Sequence, residues 1–359
     1  MKDLGLEQLL DCPVIPVTRK DRIVIVSDLH MGDGGKTDDF ARNSGVFLDA
    51  LTNYYYPRGY TLLLNGDIEE LLRHRLARIQ KAWPAIYRLF DDFRRSGRLI
   101  RLRGNHEIVS NGDGSPERFD GDSVQLDIAG QRMLVFHGHQ GGTVNSGKYN
   151  HIIGLVLRVF ANTFRIGNRS IAHNSRKKYQ LERQVYDFSF SRGIVSIIGH
   201  THRPLFESLS KSETIAYRIE RLCRLYPRAT ENDRQRIRKT IQYLKQEYVK
   251  HPAKLRGLLV DSLYGSIVTP CLFNAGCGIG KKGMTALEIK NGKIFLVYWS
   301  STGRTKRYRQ YSEYKGARRF GADTFRLILR KKPLDYIFSR LQLIAGEARE
   351  LPETLSERL

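Results

Sequence analysis

The first 140 residues alternate between short apolar runs and stretches with helical spacing. Arg22–Ser27 (RIVIVS), Thr61–Asn65 (TLLLN) and Leu99–Arg103 (LIRLR) have the length and apolar density of buried strands. Between them, Phe47–Tyr56 and Ile79–Arg95 carry apolar residues at helical intervals. This alternation predicts βαβ units and a largely parallel sheet. Val124–Ile128 and Arg132–Phe136 flank Ala129-Gly130-Gln131 as the arms of a hairpin would. Residues 145–192 read as helical and basic, Ile194–Ile198 as a strand, and 213–265 as a second helical block. Cys271–Asn274 reads as a further strand, and Thr285–Ile289 with Lys293–Tyr298 as a hairpin around Asn291-Gly292. The expected organisation is an N-terminal extension (1–21), an α/β core (22–204) carrying a helical cap insertion (145–192), and a basic helical insertion (205–265). Closing strands of the core (266–303) and a basic, amphipathic C-terminal appendage (304–359) follow.

Composition narrows the class. Of 359 residues, 41% are hydrophobic and 27% charged, which excludes collagen-like and wholly disordered chains. No apolar run approaches the ~20 residues that cross a bilayer; the longest candidate, His151–Phe164, is interrupted by Arg158. The first residues, MKDLGLEQLLDCPVIP, hold three acids where a signal peptide needs a basic start. The expected location is therefore cytoplasmic. The four cysteines form no CxxC pair, which argues against a thiolate metal site or redox couple. The unusual feature is charge: 60 Lys+Arg against 37 Asp+Glu leave a net +23, which calls for an anionic partner.

Candidate chemistry sits where strands end. The clusters are Ser27-Asp28-Leu29-His30, Asn65-Gly66-Asp67, Gly104-Asn105-His106-Glu107, Phe136-His137-Gly138-His139 and Gly199-His200-Thr201-His202. In Asp28-x-His30 and His200-x-His202, residues two apart on an extended segment point to one side and can reach one centre. In an open α/β sheet, ligands gather beyond the carboxyl ends of strands, where these clusters fall. Carboxylate, amide and imidazole donors without thiolate suit Mn²⁺, with Fe or Zn²⁺ as alternatives. Seven strong donors exceed one ion's needs but match two ions sharing a carboxylate, an arrangement that clamps a phosphoryl group.

The ordered set DxH, GD, GNHE, HGH and GHTH resembles the calcineurin-like metallophosphoesterase superfamily over roughly residues 22–204 plus closing strands at 269–299. The resemblance implies a four-layer αββα sandwich holding two divalent metal ions. Asp28, His30 and His202 would bind the first ion, Asn105, His137 and His200 the second, and Asp67 would bridge them. His106 would face the substrate phosphate, stabilising the transition state or protonating the leaving oxygen, and the nucleophile would be metal-activated water. Two positions depart from the common pattern: Glu70 replaces the second acid of GDxxD, and Glu107 replaces the Asp usual after GNH. His139 could lie near the metals or hydrogen-bond behind the ligands, and the second place is the expected one. Asn274, in Asn274-Ala275-Gly276, would brace the ligand loop or form a plain turn, and Cys277 is expected to be a packed residue rather than a nucleophile. Arg203 could bind a phosphate or form a salt bridge; Asp33, Asp38, Asp39 and His74 read as loop or structural residues.

The basic insertions bear on the substrate. The mixture of apolar residues and cations in 145–192 resembles the lid of UDP-2,3-diacylglucosamine pyrophosphohydrolases, and Leu62–Glu69 extends the likeness. In that branch the fourth motif usually reads His-Gly-Asp and Arg follows the ligand Asn; here His139 and His106 stand there. Between Arg218 and Arg256, twelve Lys/Arg face four Asp/Glu. Arg218, Arg221 and Arg224 share one helical side. Together with Phe325, Leu327, Ile328 and Leu329 among Arg326, Arg330, Lys331 and Lys332, these segments are expected to lie on an anionic membrane surface. Tyr308, Tyr311 and Tyr314 among cations would suit nucleic acid instead. The expected activity is hydrolysis of P–O bonds in a phosphorylated or pyrophosphate-containing small molecule or lipid headgroup. The alternatives are a nucleotide or nucleic-acid phosphodiesterase and a non-catalytic scaffold of the same fold; the oligomeric state is not legible.

Overall fold

The structure, a computed structural model, describes residues 4–107, 119–141, 175–208, 215, 219, 222–223, 225–249, 269–281, 283–301, 318–321 and 323–350. Most of the expected cap (142–174) and all of 302–317 lie outside the described residues, as do His151, His173, His251, Arg218, Arg221, Arg224 and the three interleaved tyrosines.

The short buried runs become the parallel strands β2 (Arg22–Val26), β3 (Thr61–Asn65) and β4 (Leu99–Leu102). They join β9 (Met284–Lys290), β10 (Lys293–Ser301), β11 (Arg318–Phe320) and β12 (Thr324–Pro333) in one sheet of order β11-β12-β10-β9-β2-β3-β4. The second sheet runs β1 (Val14–Pro16), β5 (Ser123–Ile128), β6 (Gln131–Phe136), β7 (Val195–Ile198), β8 (Leu272–Asn274). Both expected hairpins form. Their turns carry paired positive φ angles, Ala129 at 55° with Gly130 at 82°, and Asn291 at 51° with Gly292 at 67°. Such turns match the right-handed twist of the flanking strands.

Side-chain alternation makes four layers. Ile23, Ile25 and Leu63 turn inward to meet Val124, Leu126, Met133, Val135 and Ile197 of the other sheet. Val24, Val26, Leu62 and Leu64 turn outward against Phe47, Ile79, Phe90 and Phe93 on helical segments 44–58 and 76–95. On the opposite outer face, Leu134, Phe136, Ile198 and Leu272 pack on Val185 and Phe188 of helix Ser175–Arg192 and on Leu6 and Leu9. The expected αββα sandwich is the observed fold.

Three local differences have physical causes. The helix expected over Phe47–Tyr56 is an α-helix at Ser44–Ala50 that widens into a π-turn at Leu51–Tyr55. The helix expected over Ile79–Arg95 is two, Leu76–Ala82 and Pro84–Arg95, because Pro84 lacks an N–H and starts a new helix. The third concerns the tail. Residues 324–333, expected as an amphipathic surface segment, form β12, hydrogen-bonded along the length of β10. Leu327 is buried, and Arg326 turns inward to give Glu288 a two-pronged bond of 2.8 and 2.6 Å. Lys290 and the Tyr55 hydroxyl complete the shell around that fully buried carboxylate. Helix Leu334–Glu350 then packs Leu334, Ile337, Phe338 and Leu341 into the inter-sheet core.

Removing one partner from a buried ion pair strands the other. Glu288→Ala should lower unfolding free energy by about 3–5 kcal/mol, read from a urea transition. Glu288→Leu combined with Arg326→Met, which removes both charges, should cost far less.

Candidate metal centre

The five clusters converge beyond the carboxyl ends of β2, β3, β4, β6 and β7. Among the described residues nine that are not glycine adopt a positive φ, and five of these are Asp28 (54°), His30 (46°), Asp67 (53°), His200 (61°) and His202 (55°). Each such residue costs of order 1–3 kcal/mol, and strain of this kind collects where the surrounding structure imposes it at functional sites. Left-handed turns at strand ends fold the side chains back over the sheet edges. Space for them comes from glycine. A β-carbon at Gly66 (φ 77°) would lie 2.6 Å from His137 Nδ1, and one at Gly104 would collide with Asp67.

Three groups that could hold a metal ion result, two of them Asp28–His30–His202 and Asp67–His137–His200. His202 Nε2 is 3.1 Å from Asp28 Oδ1 and 3.1 Å from His30 Nε2. His137 Nε2 is 3.2 Å from Asp67 Oδ2 and 4.0 Å from Asp28 Oδ1, which brings the two groups side by side. His30 Nε2 and His106 Nε2 each lie 3.8 Å from Asp67 Oδ2. Asp67 therefore stands between both groups.

Backbone donors aim these carboxylates. Asp28 Oδ2 accepts from the His200 N–H at 2.9 Å and from the Ser27 hydroxyl, leaving Oδ1 free. Asp67 Oδ1 accepts from the His106 N–H at 2.9 Å. His137 Nδ1 bonds the Asn65 carbonyl at 2.8 Å, which commits Nδ1 as donor and turns Nε2 inward. Asp28 Oδ1, Asn105 Oδ1 and His137 Nε2 are all buried without a hydrogen-bond partner. Buried polar atoms without such a partner are rare and call for an explanation. The oxygen and imidazole donors, converging and unsatisfied, fit divalent cations.

A third group, His30–Glu70–His106, is held by hydrogen bonds. Glu70 Oε2 lies 3.1 Å from His30 Nδ1, and Oε1 lies 2.8 Å from His106 Nδ1. The replaced GDxxD acid thus orients one predicted ligand and the predicted catalytic imidazole together. Burial pushes the Glu70 carboxyl up, but His106 and His30 outweigh it and hold it below its ordinary range. Asp28, opposed in the same way by His202 and His137, is lowered to about 2. Burial alone would lower the imidazoles of His137 and His106, yet Asp67 with Asp28 raises the former to about 10, and Asp67 with Glu70 raises the latter to about 9. Burial and the neighbouring His137 instead hold His200 well below the usual histidine value.

The sequence model for calcineurin-like phosphoesterases matches residues 21–204. The chain belongs to that family. Similar solved structures include Vps29 from Entamoeba histolytica (11% identity, 78% of this chain and 92% of that one, TM-score 0.31). The cold-active protein tyrosine phosphatase of a Shewanella species is another (12%, 80% and 81%, 0.34), and a dimetal phosphatase from Danio rerio a third (10%, 77% and 95%, 0.31). Among curated proteins, none matches the sequence.

Other residues of this calcineurin-like phosphoesterase take supporting places. Glu107 accepts from the N–H groups of Gly104 (2.6 Å), Asp67 (3.0 Å) and Ile68 (2.7 Å), fixing the loop that presents Asp67. Asn274 donates to the Gly199 carbonyl (2.8 Å) and to Thr201 Oγ1 (3.0 Å), so it braces the His200–His202 loop. Arg203 forms a two-pronged salt bridge with Glu182, the structural member of the two alternatives read from sequence. His139 lies against His137 and His200 with ring centroids 5.6 and 6.3 Å away, and its Nδ1 has no hydrogen-bond partner. Cys277 is pushed up to about 12 by burial and by Asp28, unlike a nucleophilic thiol. Sequence reading missed Lys178, a cation whose pKa is lowered by burial and which lies within electrostatic reach of Cys277 and Asp28.

Two measurements test the geometry. Gly104→Ala should weaken Mn²⁺ binding more than tenfold, by calorimetry, because its β-carbon displaces Asp67. In the wild type, His137 carries a proton that a metal must displace, so Mn²⁺ binding near pH 7 should release protons and tighten as pH rises toward about 10. Titrations in buffers of differing ionisation enthalpy read this release directly.

Proposed function

We propose that the protein is a dinuclear metal-dependent phosphoesterase that hydrolyses P–O bonds with metal-activated water. In this reading Asp28, His30 and His202 hold one divalent ion, Asn105, His137 and His200 the other, and Asp67 bridges. The observation that carries it is the approach of two buried atoms without a hydrogen-bond partner, Asp28 Oδ1 and His137 Nε2, to within 4.0 Å of each other, with His137 Nε2 3.2 Å from Asp67 Oδ2. Bound ions supply charge to the phosphoryl oxygens and lower the pKa of a coordinated water.

The chain's own contribution centres on His106. Its Nδ1 is committed to Glu70, which leaves Nε2 facing the space beside Asp67. The Glu70 carboxylate against Nδ1 favours the protonated ring, which suits general-acid work. The water oxygen, its proton lost to solvent, adds to phosphorus as the bond to the leaving oxygen breaks; that oxygen takes the proton from His106 Nε2, and solvent restores the proton to the ring. Mn²⁺ is the proposed metal, with Fe or Zn²⁺ as alternatives.

The proposed substrate is a phosphorylated or pyrophosphate-containing small molecule or lipid headgroup, met at an anionic surface. Support comes from the net +23 and from helix Glu231–Val249, which exposes Arg236, Arg238, Lys239 and Lys245. Among the described residues no helix is long and apolar enough to cross a membrane, so contact of this kind would be peripheral.

With Mn²⁺ supplied, a panel of phosphomonoesters, phosphodiesters and pyrophosphates should reveal turnover that a chelator abolishes. His106→Ala should lower kcat by about 10²–10⁴ with metal content retained. Joint loss of both would make His106 structural, and no turnover on any substrate by metal-loaded protein would overturn the hydrolase assignment. Binding to anionic vesicles should weaken as salt is raised; salt-independent binding would count against the basic surface.

A further inference from the structure

Glu182 is a buried acid on the outer helix Ser175–Arg192, where a carboxylate persists only if polar partners hold it. The partners that hold it belong to one loop. Oε1 accepts from the Thr201 hydroxyl at 2.7 Å and from Arg203 Nε at 3.2 Å, and Oε2 pairs with Arg203 Nη2. Thr201 is itself fully buried, and its hydroxyl both donates to Glu182 and accepts from Asn274 Nδ2 at 3.0 Å. The helix has a fixed seat. Val185 and Phe188 pack on the sheet, and Ser189 Oγ bonds Ser196 Oγ of β7 at 2.7 Å.

Thr201 stands between two histidines that serve different groups. His200 falls with Asp67 and His137, and His202 with Asp28 and His30. The His200 N–H also donates to Asp28 Oδ2 at 2.9 Å, so the same loop aims a carboxylate. Both histidines hold a left-handed backbone, φ 61° and 55°, which neither side chain favours by itself. A loop strained at two positions keeps its shape only while its surroundings over-determine it.

We propose that Glu182, acting through Thr201, is a positioning residue for both halves of the centre. Asn274 holds the loop from the end of β8 and Glu182 holds it from the outer helix; the Thr201 hydroxyl joins the two. Breaking that link loosens a ligand of each ion at once. The inference rests on the two-ion reading of the centre and deepens it, because the grip on both ions is then set from a helix with no member in either group.

The test uses full-length protein with Mn²⁺ as the probe, titrated by calorimetry, and urea unfolding of the metal-free protein as the control. Thr201→Val keeps the branched shape without the hydroxyl and should weaken both Mn²⁺ equivalents about tenfold. Thr201→Ser, which restores the hydroxyl, should recover most of that loss. Glu182→Ala should weaken both equivalents to a similar degree, and Glu182→Gln, whose amide oxygen still accepts, should fall between. Combining Thr201→Val with Glu182→Ala should cost less than the two losses multiplied, since they share a bond. Arg203→Met separates a merely structural role, because it removes the salt bridge and leaves the Thr201 bond. It should lower the urea midpoint while Mn²⁺ affinity stays near that of the wild type. Should Glu182→Ala fail to fold, Glu182→Gln and the two Thr201 variants decide.

Unchanged affinity in Thr201→Val and the Glu182 variants, loss at one equivalent alone, or an equal loss in Arg203→Met overturns the proposal. Ion binding is read without turnover, so the two ideas separate. An inert protein whose two Mn²⁺ equivalents depend on Glu182 retains the positioning role and loses the hydrolase. An active enzyme whose Mn²⁺ affinities ignore Glu182 retains the hydrolase and loses the positioning role. A wild type with fewer than two Mn²⁺ equivalents overturns both.

Discussion

Everything at this centre depends on polar bonds that tie one sheet to the other along a single edge. Asp28, at the end of β2, accepts the N–H of His200 from beyond β7. Asn65, at the end of β3, donates to the Phe136 carbonyl of β6, while the next residue, His137, bonds back to the Asn65 carbonyl. Apolar packing between the sheets is non-directional and would tolerate sliding. These bonds do not, and they keep carboxylates and imidazoles from five separated segments within a few ångströms. They also crowd like charges together, a state that becomes comfortable only when cations or protons share the space.

Much of this was readable in the chain because strand ends are local features. A buried strand announces itself by its apolar run, and the next residues must occupy the sheet edge, so DxH, GD, GNHE, HGH and GHTH could be placed before any coordinates. The left-handed backbone at Asp28, His30, Asp67, His200 and His202 was not legible, since nothing in the identity of an Asp or His demands it. Glu107 was noticed as a departure from pattern, but its role as acceptor for the N–H groups of Asp67, Ile68 and Gly104 follows from a fold that brings the loop after β3 over it.

The tail shows the opposite case. Arg326 among apolar residues reads as the polar face of something peripheral, because charged residues are seldom fully buried unless paired. Its pair, Glu288, is 38 positions away on a strand that is not its hydrogen-bonded neighbour, so no local rule could connect them. Lys290, Tyr55 and Tyr60 then gather round the same carboxylate. A single buried acid thus helps tie β12 into the sheet and makes Arg326 part of the interior. The exposed positive charge is left to segments such as helix Glu231–Val249.

The carboxylate of Glu70 reaches two rings at once, one oxygen for each. It works as a yoke. Tilt either imidazole and the shared arm moves, so in the proposed reading grip on an ion beside His30 and the readiness of His106 to part with a proton would rise and fall together. In the proposed reading such a yoke would leave no separate controls for holding a metal and for delivering a proton, and a vacant first site would put the acid out of tune before any substrate arrived.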